Sequence, residues 1–269
     1  MIGSLWLASF SPALAGLDVL PPTTHPTDYE KNWSQNLGSD IKNDFLNYMD
    51  PDNLILFGDS VLFSGVIANT GMDRAFRQHW QTDIRSNTTD QIFALPQTIG
   101  GLSYWYAPIY IACMSVGHMR DHTLVGNVLY HFGYRSLRTF IVGGLQQVLL
   151  TNLFGSGRPD RGEDSKWQPF KYETGVSGHA FYGAVPFLTA AMMTDTPGIK
   201  YTLYVLSTLP GISRVNSDRH YLSQVVLGWT IAMLSAQSVY QTDEERSPAF
   251  QMGVIPKSDG AMLAARLQF

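Results

Sequence analysis

Four long stretches without a charged side chain constrain the fold of this chain more than any other feature of its sequence. They cover residues 91–119, 139–157, 175–194 and 221–241, and each is long enough for a helix through a domain core. Strict alternation of apolar and polar residues, the pattern of half-buried strands, is scarce along the 269 residues. The sequence therefore predicts an all-α fold, a helical bundle. We expect helices within residues 53–89 and over residues 103–122, 126–154, 178–194, 198–213 and 220–241.

Uncharged stretches of this length also raise the question of a membrane. They contain polar residues, among them Gln146, Gln147, Asn152 and Gln224, and the mean hydropathy of the chain is −0.05. A polytopic membrane protein is expected to be more apolar, because each spanning helix needs about 20 predominantly apolar residues. We therefore expect the buried helices of a soluble domain, with integral or peripheral association with the inner membrane as the alternative.

The N-terminal residues indicate export. Residues 1–15 carry no charge and end in Ala13-Leu14-Ala15, the small-residue pattern at which secretory signals are cleaved. We expect an exported, periplasmic protein whose helical domain is preceded by a signal peptide and a polar, proline-containing lead-in. The expected divisions are a signal peptide at 1–15, an extended lead-in at 16–52, the helical domain at 53–241 and a C-terminal tail at 242–269.

The charge balance and the cysteine count exclude several classes of partner and cofactor. The 18 Lys and Arg against 22 Asp and Glu give a net charge of −4, and we expect no nucleic-acid partner, since nucleic-acid binding normally needs a basic surface. The single cysteine, Cys113, excludes a disulfide framework and a cysteine-built metal cluster. His118 and His122 share a helical face, but no third ligand accompanies them, so we expect no metal site there.

Three short patterns at predicted helix ends point to chemistry. They are Arg158-Pro159, Ser177-Gly178-His179, and Ser213-Arg214 followed by His220. A serine that caps a helix leaves first-turn N–H groups free to bind an anion, with the help of the helix dipole. Arginine side chains suit phosphate oxygens, and imidazoles with a pKa near neutrality suit a nucleophile and a general acid. Together the three patterns predict a site for a tetrahedral oxyanion.

The same patterns resemble the signature of the type-2 phosphatidic acid phosphatase and vanadium haloperoxidase superfamily, whose motifs read Lys-x6-Arg-Pro, Pro-Ser-Gly-His and Ser-Arg-x5-His-x3-Asp. The resemblance covers residues 151–224 and implies the helical bundle of that family. It also implies His220 as the nucleophile that forms a phosphohistidine and His179 as the general acid. The residues implied to bind the phosphoryl oxygens are Arg158, Ser177, Gly178 and Arg214. With its predicted export, the chain is similar to periplasmic bacterial members.

The chain departs from these motifs at three positions. Val176 replaces the proline before the serine. Thr151 stands where the family has a phosphate-binding lysine, and Gln224 where it has the aspartate that orients the nucleophile. Positions i and i+4 share a helix face, so Gln224 can accept the Nδ1–H of His220, although an amide cannot stabilise a positive imidazole as a carboxylate would. The substitution Gln224→Asp is accordingly expected to raise turnover several-fold to roughly thirtyfold.

The resemblance implies a hydrolase that releases phosphate from a phosphomonoester, a class that includes lipid phosphates, without a metal or another cofactor. Two alternatives stay open. One is a haloperoxidase that holds vanadate as its cofactor through the same histidine, and the other is a non-catalytic protein that binds phosphate or a lipid. The changes at Thr151 and Gln224 favour the non-catalytic alternative, whereas retention of both histidines and both arginines opposes it.

Overall fold

The computed structural model describes residues 33–246, 250–257 and 260–267, and within them the chain forms nine α-helices and a β-hairpin. The helices are α1 (Trp33–Tyr48), α2 (Pro51–Asn69), α3 (Met72–His79), α4 (Asn87–Gly101), α5 (Tyr106–Met119), α6 (Leu124–Phe154), α7 (Gly178–Met192), α8 (Pro197–Asn216) and α9 (Leu222–Arg246). A π-helical turn over Trp80–Ile84 continues α3, and 3₁₀ turns cover Ser103–Trp105 and Pro159–Arg161. The hairpin pairs β1 (Phe250–Lys257) with β2 (Gly260–Leu267), with Phe250 opposite Leu267.

Local sequence signals set the helix ends that position the site. Helix α6 begins where the Thr123 side chain accepts the N–H of Gly126, and it ends at Gly155, whose φ of 56° lies in the left-handed region. Helix α7 begins after Ser177, whose Oγ accepts the N–H of Ala180 at 3.3 Å. The end of α6 and the start of α7 agree with the prediction, and the predicted all-α bundle is confirmed.

Helix α9 lies at the centre of the bundle, where it packs against α1, α2, α6, α7 and α8. Its Leu227, Ile231 and Leu234 are completely buried, as is Phe181 of α7. The uncharged stretches that form α7 and α9 are therefore core helices, as expected, whereas the stretches 91–119 and 139–157 keep exposed apolar side chains, contrary to that expectation.

A buried charge cluster fastens α1 to the end of α9 that is remote from its N-terminus. The Arg138 guanidinium of α6 is fully buried and donates to Asp44 of α1 at 2.5 and 2.8 Å and to Asp243 of α9 at 2.6 Å. The Tyr134 hydroxyl donates to Asp40 of α1 at 2.5 Å. Removing one partner of such a cluster is strongly destabilising, because a buried charge is left uncompensated.

This cluster corrects the expected lead-in at 16–52. Residues 33–48 form α1, which packs against α6. Asp40 and Asp44 of α1 are buried and bonded to Tyr134 and Arg138 of α6, so they are not solvated. The structure also differs from the C-terminal tail expected at 242–269, since α9 continues to Arg246 and two strands follow. The expected signal peptide at 1–15 and the first half of the lead-in lie outside the described residues.

The outer faces of several helices carry exposed apolar side chains. They include Ile55, Leu62 and Phe63 on α2, and Leu145, Val148, Leu149 and Leu153 on α6. Two described helices, Pro51–Asn69 and Leu222–Arg246, are long and apolar enough to cross a membrane. In the most apolar 18-residue segment of each helix, 22% is buried in Pro51–Asn69, against 72% in Leu222–Arg246, which is the core helix α9. The exposed apolar face of α2 is consistent with membrane association.

Candidate active site

Hydrogen bonds tie two of the sequence motifs to the start of α9. The N–H of Ser177 donates to the carbonyl of Gln224 at 2.9 Å, which joins the start of α7 to the first turn of α9. The side-chain amide of Gln224 donates to the carbonyl of Gly157 at 2.8 Å, and Gly157 directly precedes Arg158. The end of α6, the start of α7 and the start of α9 therefore meet at one end of the bundle.

The turn between α8 and α9 brings in the third motif. The N–H groups of Arg219 and His220 donate to the carbonyl of Arg214 at 2.8 and 3.3 Å, so the turn folds back on the last turn of α8. Asp218, within this turn, has a φ of 60° in the left-handed region. The structure thus brings together the residues that the sequence predicted to bind and attack phosphorus: Arg158, Ser177, Gly178, His179, Arg214 and His220.

The N-terminus of α7 offers N–H groups to an anion. The Ser177 side chain is engaged in capping, and the N–H groups of Gly178 and His179 have no intrahelical acceptor because they belong to the first turn. A Cβ at Gly178 would lie 3.3 Å from the ring of Tyr182 and 3.6 Å from Nε2 of Gln147, so glycine keeps the approach to this turn open. The partial positive charge at the helix N-terminus favours an oxyanion there.

Two guanidiniums at the site have unsatisfied donors. Arg214 is only 7% exposed and Arg158 is half-buried. Within the described residues, the buried Nε atoms of both lack a hydrogen-bond partner. Buried donors without an acceptor are costly, and an oxyanion between them would satisfy both. The arrangement therefore favours a ligand with several anionic oxygens.

Gln224 fixes the tautomer of His220. Its Oε1 lies 2.7 Å from Nδ1 of His220 and also accepts the N–H of Tyr221 at 3.1 Å. Its Nε2 donates to the hydroxyl of Ser156 and the carbonyl of Gly157, both at 2.8 Å. The orientation of the amide is determined, because the Tyr221 N–H can only donate and the Gly157 carbonyl can only accept. Nδ1 of His220 therefore carries the proton, and Nε2 keeps its lone pair.

Both imidazoles are neutral at pH 7. Burial, together with the charges of Arg214 and Arg158, lowers the pKa of His179 to about 4. Burial and the same two charges lower the pKa of His220 to about 3, against the opposing hydrogen bond with Gln224. Burial and the neighbouring Arg158 also lower the pKa of Arg214, to about 10, so it stays positive. The site combines two cationic arginines with two neutral imidazoles.

Thr151 does not replace the positive charge of the lysine found in the family. Its hydroxyl donates to the carbonyl of Val176 at 3.2 Å and accepts from Nε2 of Gln147 at 2.9 Å. Val176, at the position where the family has proline, is buried in the core. Both departures therefore act on the backbone that leads into Ser177, and they place no cation beside it.

Comparison with known proteins agrees with this geometry. Residues 135–248 match the model of the PAP2 superfamily, and they contain all three motifs. This segment belongs to the PAP2 superfamily. Membership supports a phosphatase function. No curated protein sequence matches the chain.

The PAP2 fold extends beyond the matched segment. The chain is similar to the crystal structure of the first transmembrane PAP2 type phosphatidylglycerolphosphate phosphatase from Bacillus subtilis, with a TM-score of 0.55. Sequence identity is 20%, and the superposition covers 72% of this chain and 96% of that one. At this identity the likeness shows that the two proteins share a fold.

Helix α4 lies outside the PAP2 segment, yet it forms one wall of the site. A Cβ at Gly100 would lie 3.1 Å from the carbonyl oxygen of His179, and one at Gly101 would lie 3.6 Å from its Nε2. The sequence did not predict this helix, because Pro96 and the two glycines lower helix propensity. The signal that could have found it is the capping box between Ser86 and Thr89, directly before and within its first turn.

Aromatic side chains flank the PAP2 site on the side of α5 and α7. Tyr182, one turn after Gly178, donates to Oε1 of Gln147 at 3.3 Å. Tyr104 and Trp105, which precede α5, are 92% and 66% exposed. Neither the Tyr182–Gln147 pair nor the exposed rings were predicted from the sequence as part of the site, since aromatic residues near helix starts are usually core residues.

The histidine pair at 118 and 122 lies apart from the PAP2 site. Among the described residues, no group of three or more His, Cys, Asp or Glu side chains could hold a metal ion. The His118 ring lies 6.4 Å from that of Tyr130, and the His122 side chain is 78% exposed.

Proposed function

We propose that this chain is a phosphomonoesterase that transfers a phosphoryl group to His220 and then to water, without a metal ion. One observation above all supports the proposal. The Nε2 lone pair of His220, fixed by Gln224, lies at the bundle end where Arg158, Arg214 and the N-terminus of α7 have donors unused. Donors held in place before the reaction can stabilise the charge that develops on the phosphoryl oxygens, which is the main requirement of phosphoryl transfer.

In the first step, Nε2 of His220 attacks phosphorus while the bond between phosphorus and the alcohol oxygen breaks. The imidazole keeps its Nδ1–H, donated to Gln224, and becomes positively charged. Arg158, Arg214 and the first-turn N–H groups of α7 bind the non-bridging oxygens. The neutral amide of Gln224 orients the ring but supports its charge less than a carboxylate would.

His179 is the proposed acid for the departing alcohol. With a pKa of about 4 it is neutral at pH 7 before substrate binds, and an anion between the guanidiniums raises its pKa. An ester monoanion can therefore hand its proton to His179, which then protonates the alcohol oxygen. In the second step neutral His179 takes a proton from water as the water attacks phosphorus. The bond to Nε2 breaks, the departing phosphate takes the proton from His179, and both histidines are neutral again.

A lipid phosphate is the proposed substrate class. The apolar face of α6 remains exposed to its last turn, with Leu149 at 61% and Leu153 at 46%, close to the site. Tyr104 and Trp105 are exposed beside α7, as expected of aromatic residues at a membrane interface. The similar Bacillus subtilis structure is that of a transmembrane phosphatidylglycerolphosphate phosphatase. We therefore propose an exported, membrane-associated protein that presents its site to the periplasm.

Phosphate release by the purified protein in detergent tests the proposal. Long-chain lipid phosphates and a soluble aryl phosphate are compared at equal concentration, with and without a chelator. We expect release from both classes, faster from the lipids, unaffected by the chelator and abolished in His220→Ala. Release that survives in His220→Ala would contradict the proposed nucleophile. Halide oxidation on addition of vanadate, with no phosphate release, would instead support the haloperoxidase alternative.

A further inference from the structure

Helix α3 and its π-helical turn touch the other helices of the site, although they lie outside the matched segment 135–248. The side chains of Phe76 and Trp80 pack against one small apolar cluster. Its buried members are Ala180, Val215 and Val225, which directly follow His179, Arg214 and Gln224. A single helix thus supports the backbone beside the proposed acid, a phosphate-binding arginine and the residue that orients the nucleophile.

Asp73 of α3 caps the N-terminus of α9 from another helix. Its carboxylate, 1% exposed, accepts the N–H of Ser223 at 3.2 Å and the Ser223 hydroxyl at 2.5 Å, and it also accepts the N–H of Leu222. These are first-turn donors that have no acceptor within α9. Burial raises the pKa of Asp73, and the bonds from Ser223 and Leu222 oppose that rise. The capped residues, Leu222 and Ser223, lie between His220 and Gln224 in the sequence.

Further bonds hold the end of α8 and the turn that follows it against α3 and its π-helical turn. Arg77 donates twice to Asp218, at 2.6 Å each. Gln81 donates to the carbonyl of Val215 at 2.8 Å, and Nε1 of Trp80 donates to the side chain of Asn216 at 3.3 Å. The segment that separates Arg214 from His220 is therefore bound at Val215, Asn216 and Asp218 to α3 and its π-helical turn.

From these contacts we infer that Asp73 is a positioning residue for His220, acting through the first turn of α9; the inference rests on the proposed role of His220. Loss of the cap loosens the turn that carries Gln224, and with it the direction of the Nε2 lone pair. A misplacement of about 1 Å can lower a rate by roughly 100-fold. The phosphate-binding groups are also held by the Ser177 cap on α7 and by the last turn of α8, so turnover should fall far more than phosphate affinity.

Four variants test the inference. Asp73→Ala removes the cap, Asp73→Asn keeps a good capping residue, and Ser223→Ala removes one bond while sparing the backbone bonds. Asp50→Ala is the matched control, since Asp50 caps α2 by accepting the N–H of Asp52 at 2.9 Å, at the end of the bundle remote from the site. Turnover per folded molecule and the inhibition constant of inorganic phosphate are measured for each.

We expect Asp73→Ala to lower kcat by roughly 10- to 100-fold and to leave the phosphate constant within about threefold of wild type. Asp73→Asn should recover most of the activity, and Asp50→Ala should keep all of it. If Asp73→Ala does not fold, Ser223→Ala decides, with an expected loss of a few-fold. Equal kcat for the tested variant and Asp50→Ala, or a parallel loss of turnover and phosphate affinity, would overturn the inference.

A second readout separates this inference from the proposed function. If the wild-type protein releases no phosphate, the proposed function fails, and the position of His220 is then followed by nitrogen-15 NMR of its imidazole. Asp73→Ala should shift the Nδ1 signal and speed exchange of the Nδ1–H, whereas Asp50→Ala should not. An unchanged spectrum in Asp73→Ala would show that the cap does not position His220.

Discussion

The burial of a neutral His220 predicts how the stability of this protein depends on pH. Its pKa is about 3 in the folded chain and about 6.5 in an unfolded one. As pH falls below 6.5 the unfolded state binds the proton first, so the free energy of unfolding decreases. The contribution of neutral His220 to the free energy of unfolding is therefore present above pH 6.5 and is lost progressively as pH falls toward 3. Between pH 7 and pH 5 the loss from His220 is about 2 kcal/mol, at 1.36 kcal/mol per pH unit.

Unfolding of the wild type and of His220→Asn between pH 5 and pH 7 measures this contribution. Other groups titrate in both proteins, including Asp44 and Asp73, whose pKa values burial raises, so the difference between the two curves isolates His220. We expect the stability of the wild type relative to the variant to fall by about 2 kcal/mol, or roughly 4–8 °C in Tm. A difference that does not change with pH would refute the buried, neutral imidazole.

Three further predictions concern the walls of the site. A carboxylate at position 224 cannot donate to Ser156 and would face the carbonyl of Gly157. Gln224→Asp should therefore lower Tm without raising turnover, contrary to the expectation from sequence alone. A gain of tenfold or more in steady-state turnover would mean that these amide contacts are dispensable. A Cβ at Gly101 would lie 3.6 Å from Nε2 of His179. Gly101→Val should therefore lower kcat/KM for bulky lipid esters by roughly tenfold and leave the inhibition constant of phosphate unchanged. Equal losses of kcat/KM for all substrates would place the leaving group elsewhere. An anion about 4 Å from His179 at an effective dielectric of about 20 raises its pKa from about 4 to roughly 7, so phosphate binding at pH 7 should take up about half a proton. Calorimetry in two buffers of different ionisation enthalpy measures that uptake, which should vanish in His179→Gln.

The residues that meet at the candidate site could be predicted because their signals are local. Ser177 is recognisable as a cap, Gly155 as a helix end, and the spacing of His220 and Gln224 places both on one helix face. Such signals involve residues a few positions apart. The positions of the functional side chains at helix ends therefore followed from the sequence, and the helical bundle places those ends together.

The supports of the site could not be predicted, because they join residues that are distant in sequence. The bond between Asp73 and Ser223 spans 150 positions, and the bond between Arg138 and Asp44 spans 94. An isolated aspartate in a polar segment usually indicates a solvated surface. Nothing near Asp40, Asp44 or Asp73 in the sequence identifies the partner that makes burial favourable. The same holds for α4, whose glycines suit close packing against His179 but indicate a helix break when taken alone.

The most direct test of the proposed mechanism is detection of the covalent intermediate. A substrate labelled in its phosphoryl group is mixed with the protein and quenched with base within one turnover, and the labelled peptide is identified. We predict an acid-labile, base-stable phosphoryl group on His220. It should be absent in His220→Asn and should form more slowly in His179→Gln when the leaving group is a poor one. Phosphate release without any labelled peptide, or a label on another residue, would contradict the central claim.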